Sequence, residues 1–242
     1  PRQLVLNKID WFCSSRHWMM HVGPEKGTIL QQCLQDAIQN VSKLEKKTFV
    51  AVELGTYCGY ASILLSSILK THPETFQDGM DFKFFTVEIN PDFSAIAREM
   101  IQLSKLDETI TVLDNDLLMD GSTSDAAALV KRAIVEKIGP SDSPIGIDFL
   151  LIDHDKDSYL TDLVRFERSG LIRRGTVIAA DNVIFAGITD YINYMQKLAK
   201  EGFVTTCTKE SNVEYSPANE NIKDGIEMTE YLRDPSNIDK SI

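Results

Sequence analysis

The chain has 242 residues, 43% of them hydrophobic and 25% charged, with a formal net charge of −11. That length suits one large domain with a sizeable core, and the acidic balance argues against a nucleic-acid partner, which would be met by basic surface. No apolar run approaches the roughly 18 residues of a membrane span, and the four cysteines (Cys13, Cys33, Cys58, Cys207) form no C-x-x-C pair, so neither a zinc site nor a disulfide framework is indicated.

The N-terminal part has helical spacing. In GTILQQCLQDAIQNVSKL, residues Ile29, Leu30, Cys33, Leu34, Ala37, Ile38, Val41 and Leu44 fall on one face. From residue 48 the pattern changes to short apolar runs, each ending in polar residues: 48–55, 83–90, 109–116, 147–153 and 176–182. Near-continuous apolar runs signal strands buried on both faces. Segments with helical spacing separate and follow them, at 61–70, 91–105, 124–138, 158–172 and 189–202, and Pro91 sits where a first helical turn tolerates it. The alternation predicts an open parallel α/β sheet with right-handed crossovers. Runs at 203–210 and 225–232 suit a closing antiparallel hairpin. One domain is expected, with residues 1–47 as a helical cap and 48–242 as the core. The scattered cysteines suit a reducing compartment and no signal-peptide pattern opens the sequence; the expected place is the cytoplasm, and also the nucleus.

Ligands of such sheets bind outside the carboxyl ends of the strands. Those ends read Glu53-Leu54-Gly55, Glu88-Ile89-Asn90, Asp114-Asn115-Asp116, Asp153-His154 and Asp181-Asn182. A single strand-end acid is commonly a helix cap; five in a row point to a ligand site. The first turn, E-L-G-T-Y-C-G-Y (53–60), spaces Gly55 and Gly59 four apart. That departs from the G-x-G-x-x-G of dinucleotide sites and disfavours a nicotinamide-dependent oxidoreductase. A carboxylate beside the turn suits a ligand with a positive end, such as S-adenosylmethionine. Glu88 is placed to accept from ribose hydroxyls.

Asp153 and Asp181 end the fourth and fifth runs. On neighbouring strands they would lie about 4.8 Å apart, close enough to repel unless a cation sits between them. With the amide of Asn182 they form an all-oxygen set of the kind Mg²⁺ accepts; two independent caps would leave the same letters. Lys156, three residues past Asp153, is either a solvated lysine or a base tuned by a nearby ion. His154 either lines a nucleoside or packs.

Taken together, E-L-G-T-Y-C-G-Y, V-E-I-N-P-D-F, L-I-D-H-D-K-D-S-Y-L, G-L-I-R-R-G-T-V-I-A-A-D-N-V-I and N-V-E-Y resemble the catechol O-methyltransferase family, as does the N-terminal I-D-W-F-C-S-S-R-H-W-M-M-H-V-G-P-E-K-G. The resemblance runs in order from about residue 3 to residue 232. It implies a single-domain Rossmann-like methyltransferase fold: a seven-stranded, mostly parallel sheet with an antiparallel last strand and helices on both faces. It also implies magnesium-dependent transfer of methyl from S-adenosylmethionine to one hydroxyl of an aromatic vicinal diol. The sequence does not give the oligomeric state; a monomer is the expectation.

By the same resemblance Asp153, Asp181 and Asn182 match metal ligands, and Lys156 matches the base. Glu214 and Trp18 match substrate contacts, which Lys156 and Asn182 share. Met20, Val22, Glu53, Gly55, Tyr57, Gly59, Tyr60, Glu88, Ile89, Asp153 and His154 match cofactor contacts. The chain departs from the pattern at Asp155, where mammalian members have tryptophan, at Ala186, where they have proline, and at Ala61, which replaces a serine near the cofactor carboxylate, where the adjacent Ser62 could compensate. Those departures leave an alternative open: a protein that binds S-adenosylmethionine but acts on another substrate or has lost catalysis.

Overall fold

The computed structural model describes residues 1–41, 48–71, 80–114, 125–139, 146–216 and 222–238. Within them the elements follow in the order α1 (Arg2–Ser15), α2 (Gly23–Val41), β1 (Thr48–Leu54), α3 (Tyr60–Thr71), β2 (Asp81–Glu88), α4 (Pro91–Leu103), β3 (Ile110–Asp114), α5 (Ala126–Ile138), β4 (Phe149–Ile152), α6 (Tyr159–Arg168), β5 (Val177–Ala180), α7 (Thr189–Lys200), β6 (Val204–Asn212) and β7 (Lys223–Tyr231). The strands form one sheet in the order β3-β2-β1-β4-β5-β7-β6. Its five β1–β5 strands pair in parallel, and β7 runs antiparallel to both β5 and β6. The expected α/β architecture with a reversed last strand is therefore present. The hairpin enters the sheet through its second strand, and β6 takes the edge.

Period-two alternation sorts each strand between two cores. Val50, Val52, Leu54, Leu150, Ile152, Ile178 and Ala180 face a core shared with α5, α6 and α7. Phe49, Ala51, Phe149, Leu151, Val177 and Ala179 face a second core built with α1, α2, α3 and α4. This explains why the strands read as unbroken apolar runs. It also shows that the N-terminal helices pack on the sheet itself; the expected boundary at residue 47 lies outside the described residues.

The sheet's polar punctuation is local. Asn90 caps α4, its side chain accepting from Asp92 N at 2.9 Å and Phe93 N at 3.3 Å, which satisfies donors that a helix start leaves unpaired. At the opposite end Asp148, 1% exposed, accepts from Val50 N at 2.7 Å and from the Arg173 guanidinium. Two strands are shorter than expected, β4 ending at Ile152 and β5 at Ala180. Asp153, Asp181 and Asn182 thus stand just past the strand ends. Lys156 opens a 3-10 turn, Lys156–Ser158, rather than the helix proper.

Candidate active site

β4 and β5 are neighbours, with Ile152 opposite Ala180, and Asp181 N donates to Ile152 O at 3.0 Å. Both strand ends therefore release their acids at the same edge. Asp153 Oδ1 is 2.7 Å from Lys156 Nζ, which also reaches Tyr159 Oη at 2.8 Å. Tyr159 Oη in turn donates to Asp181 O at 3.1 Å. Asp181 Oδ1 accepts from Asn182 N at 2.7 Å and is 2.7 Å from Lys26 Nζ. Asn182, in the left-handed region at φ 59, donates through Nδ2 to Asp224 Oδ2 at 2.7 Å. Burial pushes the Asp181 carboxyl up, Asp153's charge adds to that, and Lys26 opposes it.

Among the described residues no group of three or more His, Cys, Asp or Glu side chains is placed to hold a metal ion. Two carboxylates and one amide remain. They are all oxygen donors and suit a hard cation such as Mg²⁺. Neither lysine bond uses Asp153 Oδ2 or Asp181 Oδ2. The residues fit a divalent ion, provided the Asn182 carbonyl oxygen serves as the third donor.

Beside this corner lies a cleft lined by Met20, Val22, Glu53, Gly55, Tyr57, Tyr60 and Asp153, together with Ala61. Gly55, at φ +97, lets the first turn lie against β4: a Cβ there would overlap the Asp153 carbonyl. Gly59 has φ +81, and its N donates to Thr56 O at 2.8 Å. Glu53, 1% exposed, accepts from Ser62 Oγ and, at 2.6 Å, from Thr86 Oγ1. Burial pushes its carboxyl up to about 8, with the Ser62 and Thr86 hydroxyls opposing. Ser62, expected as a possible stand-in at the cofactor carboxylate, is thus committed to Glu53.

The other expected cofactor contacts are more scattered. Glu88 accepts from Tyr57 N at 2.8 Å and Asn90 N at 2.9 Å, which ties the first and second strand ends together. Ile89 is 62% exposed. His154 stacks on Tyr159 with ring centroids 5.3 Å apart, and its Nε2 is 2.8 Å from Asp162 Oδ2. The expected substrate pair is adjacent, Trp18 Nε1 donating to Glu214 O at 3.2 Å. The Glu214 carboxylate accepts from Glu25 N in the first turn of α2, a site where helix donors and the dipole favour an anion. Asp155, the chief departure from the family pattern, is exposed and accepts from Ser158 Oγ at 2.7 Å. It closes the 3-10 turn.

Sequence reasoning missed Lys26, Tyr159 and Asp224. Lys26 carried one legible signal: a lysine in the first turn of a helix opposes the dipole. An aspartate opening a strand run, as Asp224 does, is also unusual. Tyr159 carried no signal beyond its apolar helical face.

The O-methyltransferase family model matches residues 12–230. The chain belongs to the O-methyltransferase family. This O-methyltransferase is 33% identical over 230 residues to catechol O-methyltransferase B of Danio rerio, covering 95% of this chain and 72% of that one. It is 30% identical to the catechol O-methyltransferase of Bos taurus, covering 95% and 70%. Among solved structures, the O-methyltransferase from Bacillus cereus in complex with SAH matches with a TM-score of 0.62 and 21% identity, over 96% of this chain and 92% of that one. That likeness shows the shared fold. The family supports S-adenosylmethionine as methyl donor, and no described helix is long and apolar enough to cross a membrane.

Proposed function

We propose that this O-methyltransferase moves a methyl group from S-adenosylmethionine to one hydroxyl of a catechol-type aromatic diol, with Mg²⁺ at Asp153, Asp181 and Asn182. The observation that carries the reading is the corner itself. Two acids, an amide and Lys156 meet at the paired ends of β4 and β5, beside a cleft whose wall is Glu53, Gly55 and Tyr60. The identity to catechol O-methyltransferases over 95% of the chain supports the substrate class.

Bound at Asp153, Asp181 and Asn182, Mg²⁺ would supply a Lewis acid that makes a substrate hydroxyl more acidic. The chain's own residues do the rest. Glu53, held by Ser62 and Thr86, would release its proton and become the negative partner once the positive end of the methyl donor is bound. Glu88 borders the same turn and suits the ribose hydroxyls. Lys156, fixed between Asp153 and Tyr159, would take the hydroxyl proton at Nζ as the neutral amine, its ammonium having first released a proton to solvent. Trp18 and Glu214 lie side by side and suit the ring and the second hydroxyl. Most of the rate gain in such a transfer comes from orientation and charge placement.

The test is a panel of catechols with methyl-labelled S-adenosylmethionine, with chelator and then with added Mg²⁺. Methylation of a catechol that stops with chelator and returns with Mg²⁺ is expected. Donor binding by calorimetry, without transfer to any diol, would favour the alternative of a protein that binds the donor without this catalysis.

A further inference from the structure

We propose that Asp224, held by Lys26, is a positioning residue that fixes which end of the Asn182 amide serves the site. The proposal rests on the reading of Asp153, Asp181 and Asn182 as magnesium ligands. No third His, Cys, Asp or Glu side chain joins the two acids among the described residues. The third donor must then be the Asn182 carbonyl oxygen, because an amide NH₂ donates and does not ligate a cation.

The Asn182 backbone is already set. Its N donates to Asp181 Oδ1 at 2.7 Å, and its O accepts from Ala186 N at 3.0 Å. What remains free is the two-fold choice between amide oxygen and nitrogen. Asp224 decides it. An ionised carboxylate only accepts, so the branch facing Asp224 Oδ2 at 2.7 Å is the NH₂, and the oxygen is turned to the other side. The bond is charge-assisted and so stronger than a neutral one.

Asp224 is itself anchored. It is 0% exposed, accepts from Phe185 N at 3.1 Å and lies 2.5 Å from Lys26 Nζ. Lys26 also lies 2.7 Å from Asp181 Oδ1. One ammonium therefore neutralises the orienting acid and steadies a proposed ligand. A buried carboxylate without such a partner would be costly to keep charged.

The experiment is Mn²⁺ binding followed by electron paramagnetic resonance, since Mn²⁺ takes the same oxygen donors and the free ion gives the signal. Asp224→Ala should weaken Mn²⁺ binding by about 10- to 100-fold, the usual loss when a partner of a metal ligand is removed. Asp224→Asn should weaken it less, and it carries the comparison if the alanine variant does not fold by urea titration. The deciding step repeats both changes in an Asn182→Ala background. With no amide left to orient, the Asp224 changes should then cost clearly less than in the wild-type background, the remainder passing through the Lys26 that Asp224 shares with Asp181.

An equal loss in both backgrounds would overturn the proposal and make Asp224 a general brace of the loop. So would unchanged Mn²⁺ binding by the Asp224 variants, if the wild type binds the ion and Asp153→Asn weakens it. A wild-type protein that takes up no Mn²⁺ would overturn the metal reading, and this inference with it.

Discussion

Glu53, in β1, and Asp181, just past the end of β5, are both buried carboxylates on the ligand side of the sheet, yet they are held in different ways. Asp181 faces the Lys26 ammonium at 2.7 Å, and its neighbour Asp153 faces that of Lys156 at 2.7 Å. The hydrogen bonds to Glu53 come from two hydroxyls. Burial pushes both carboxyls up, Asp181 against the opposing charge of Lys26 and Glu53, to about 8, against two neutral hydroxyls; the difference between them is the partner, since neutral donors bring no charge to a buried acid. The comparison separates two kinds of site. The β4–β5 corner brings its own cations and is organised before any ligand arrives. The cleft at the first turn is short of one positive charge, and a ligand with a cationic end would supply it.

The largest effect should come from the corner. Lys156→Ala is expected to lower turnover by about 100- to 10,000-fold, the usual share of a general base, while donor affinity by calorimetry stays nearly unchanged. Full turnover in that variant would remove Lys156 as the base and leave the corner merely structural.

Next comes the joint between the two regions. Gly55→Ala would force a Cβ into the Asp153 carbonyl at a backbone angle that side chains rarely adopt, at a cost of about 1–3 kcal/mol for the conformation alone. Gly59→Ala meets Ala97 only at 3.6 Å and should cost less in urea unfolding. Equal costs would show that β1 and β4 are not locked together at that point.

The charge deficit of Glu53 has a definite sign with pH. Its folded value of about 8 lies above the ordinary carboxylate range, near 4.3. Between those values the folded protein keeps a proton that the unfolded chain has released. Glu53 therefore subtracts stability as pH rises from about 4.3 to 8, and no further above that. Glu53→Gln should flatten this part of the urea-midpoint profile of the ligand-free protein. It should also weaken donor binding by about 10-fold or more, since a bond to a charged group is lost. A profile that kept its slope would place the titrating group elsewhere.

The smallest effect is expected at Asp155. Its side chain accepts from Ser158 Oγ, makes no capping bond to the backbone and is exposed, so Asp155→Ala should cost about 0.5 kcal/mol or less, as surface substitutions usually do. A marked change in the range of diols methylated would instead give Asp155 a role at the substrate.

Much of this was legible in the chain itself. The apolar runs and helical periods determine a parallel sheet with helices on both faces, because a strand buried twice must be apolar throughout. The acids at the strand ends mark the ligand side, and their letters carry the family. What the letters could not convey is pairing over long separations. Lys26 and Asp224 are 198 positions apart, and only the packing of α2 against the end of β7 brings them to one buried ion pair. The same packing turns the Asn182 amide, commits Ser62 to Glu53, and sets Glu214 at the start of α2. Periodicity is a property of neighbouring residues and survives in one dimension. Which charge meets which acid depends on strand order and helix docking, and the tertiary fold alone decides it.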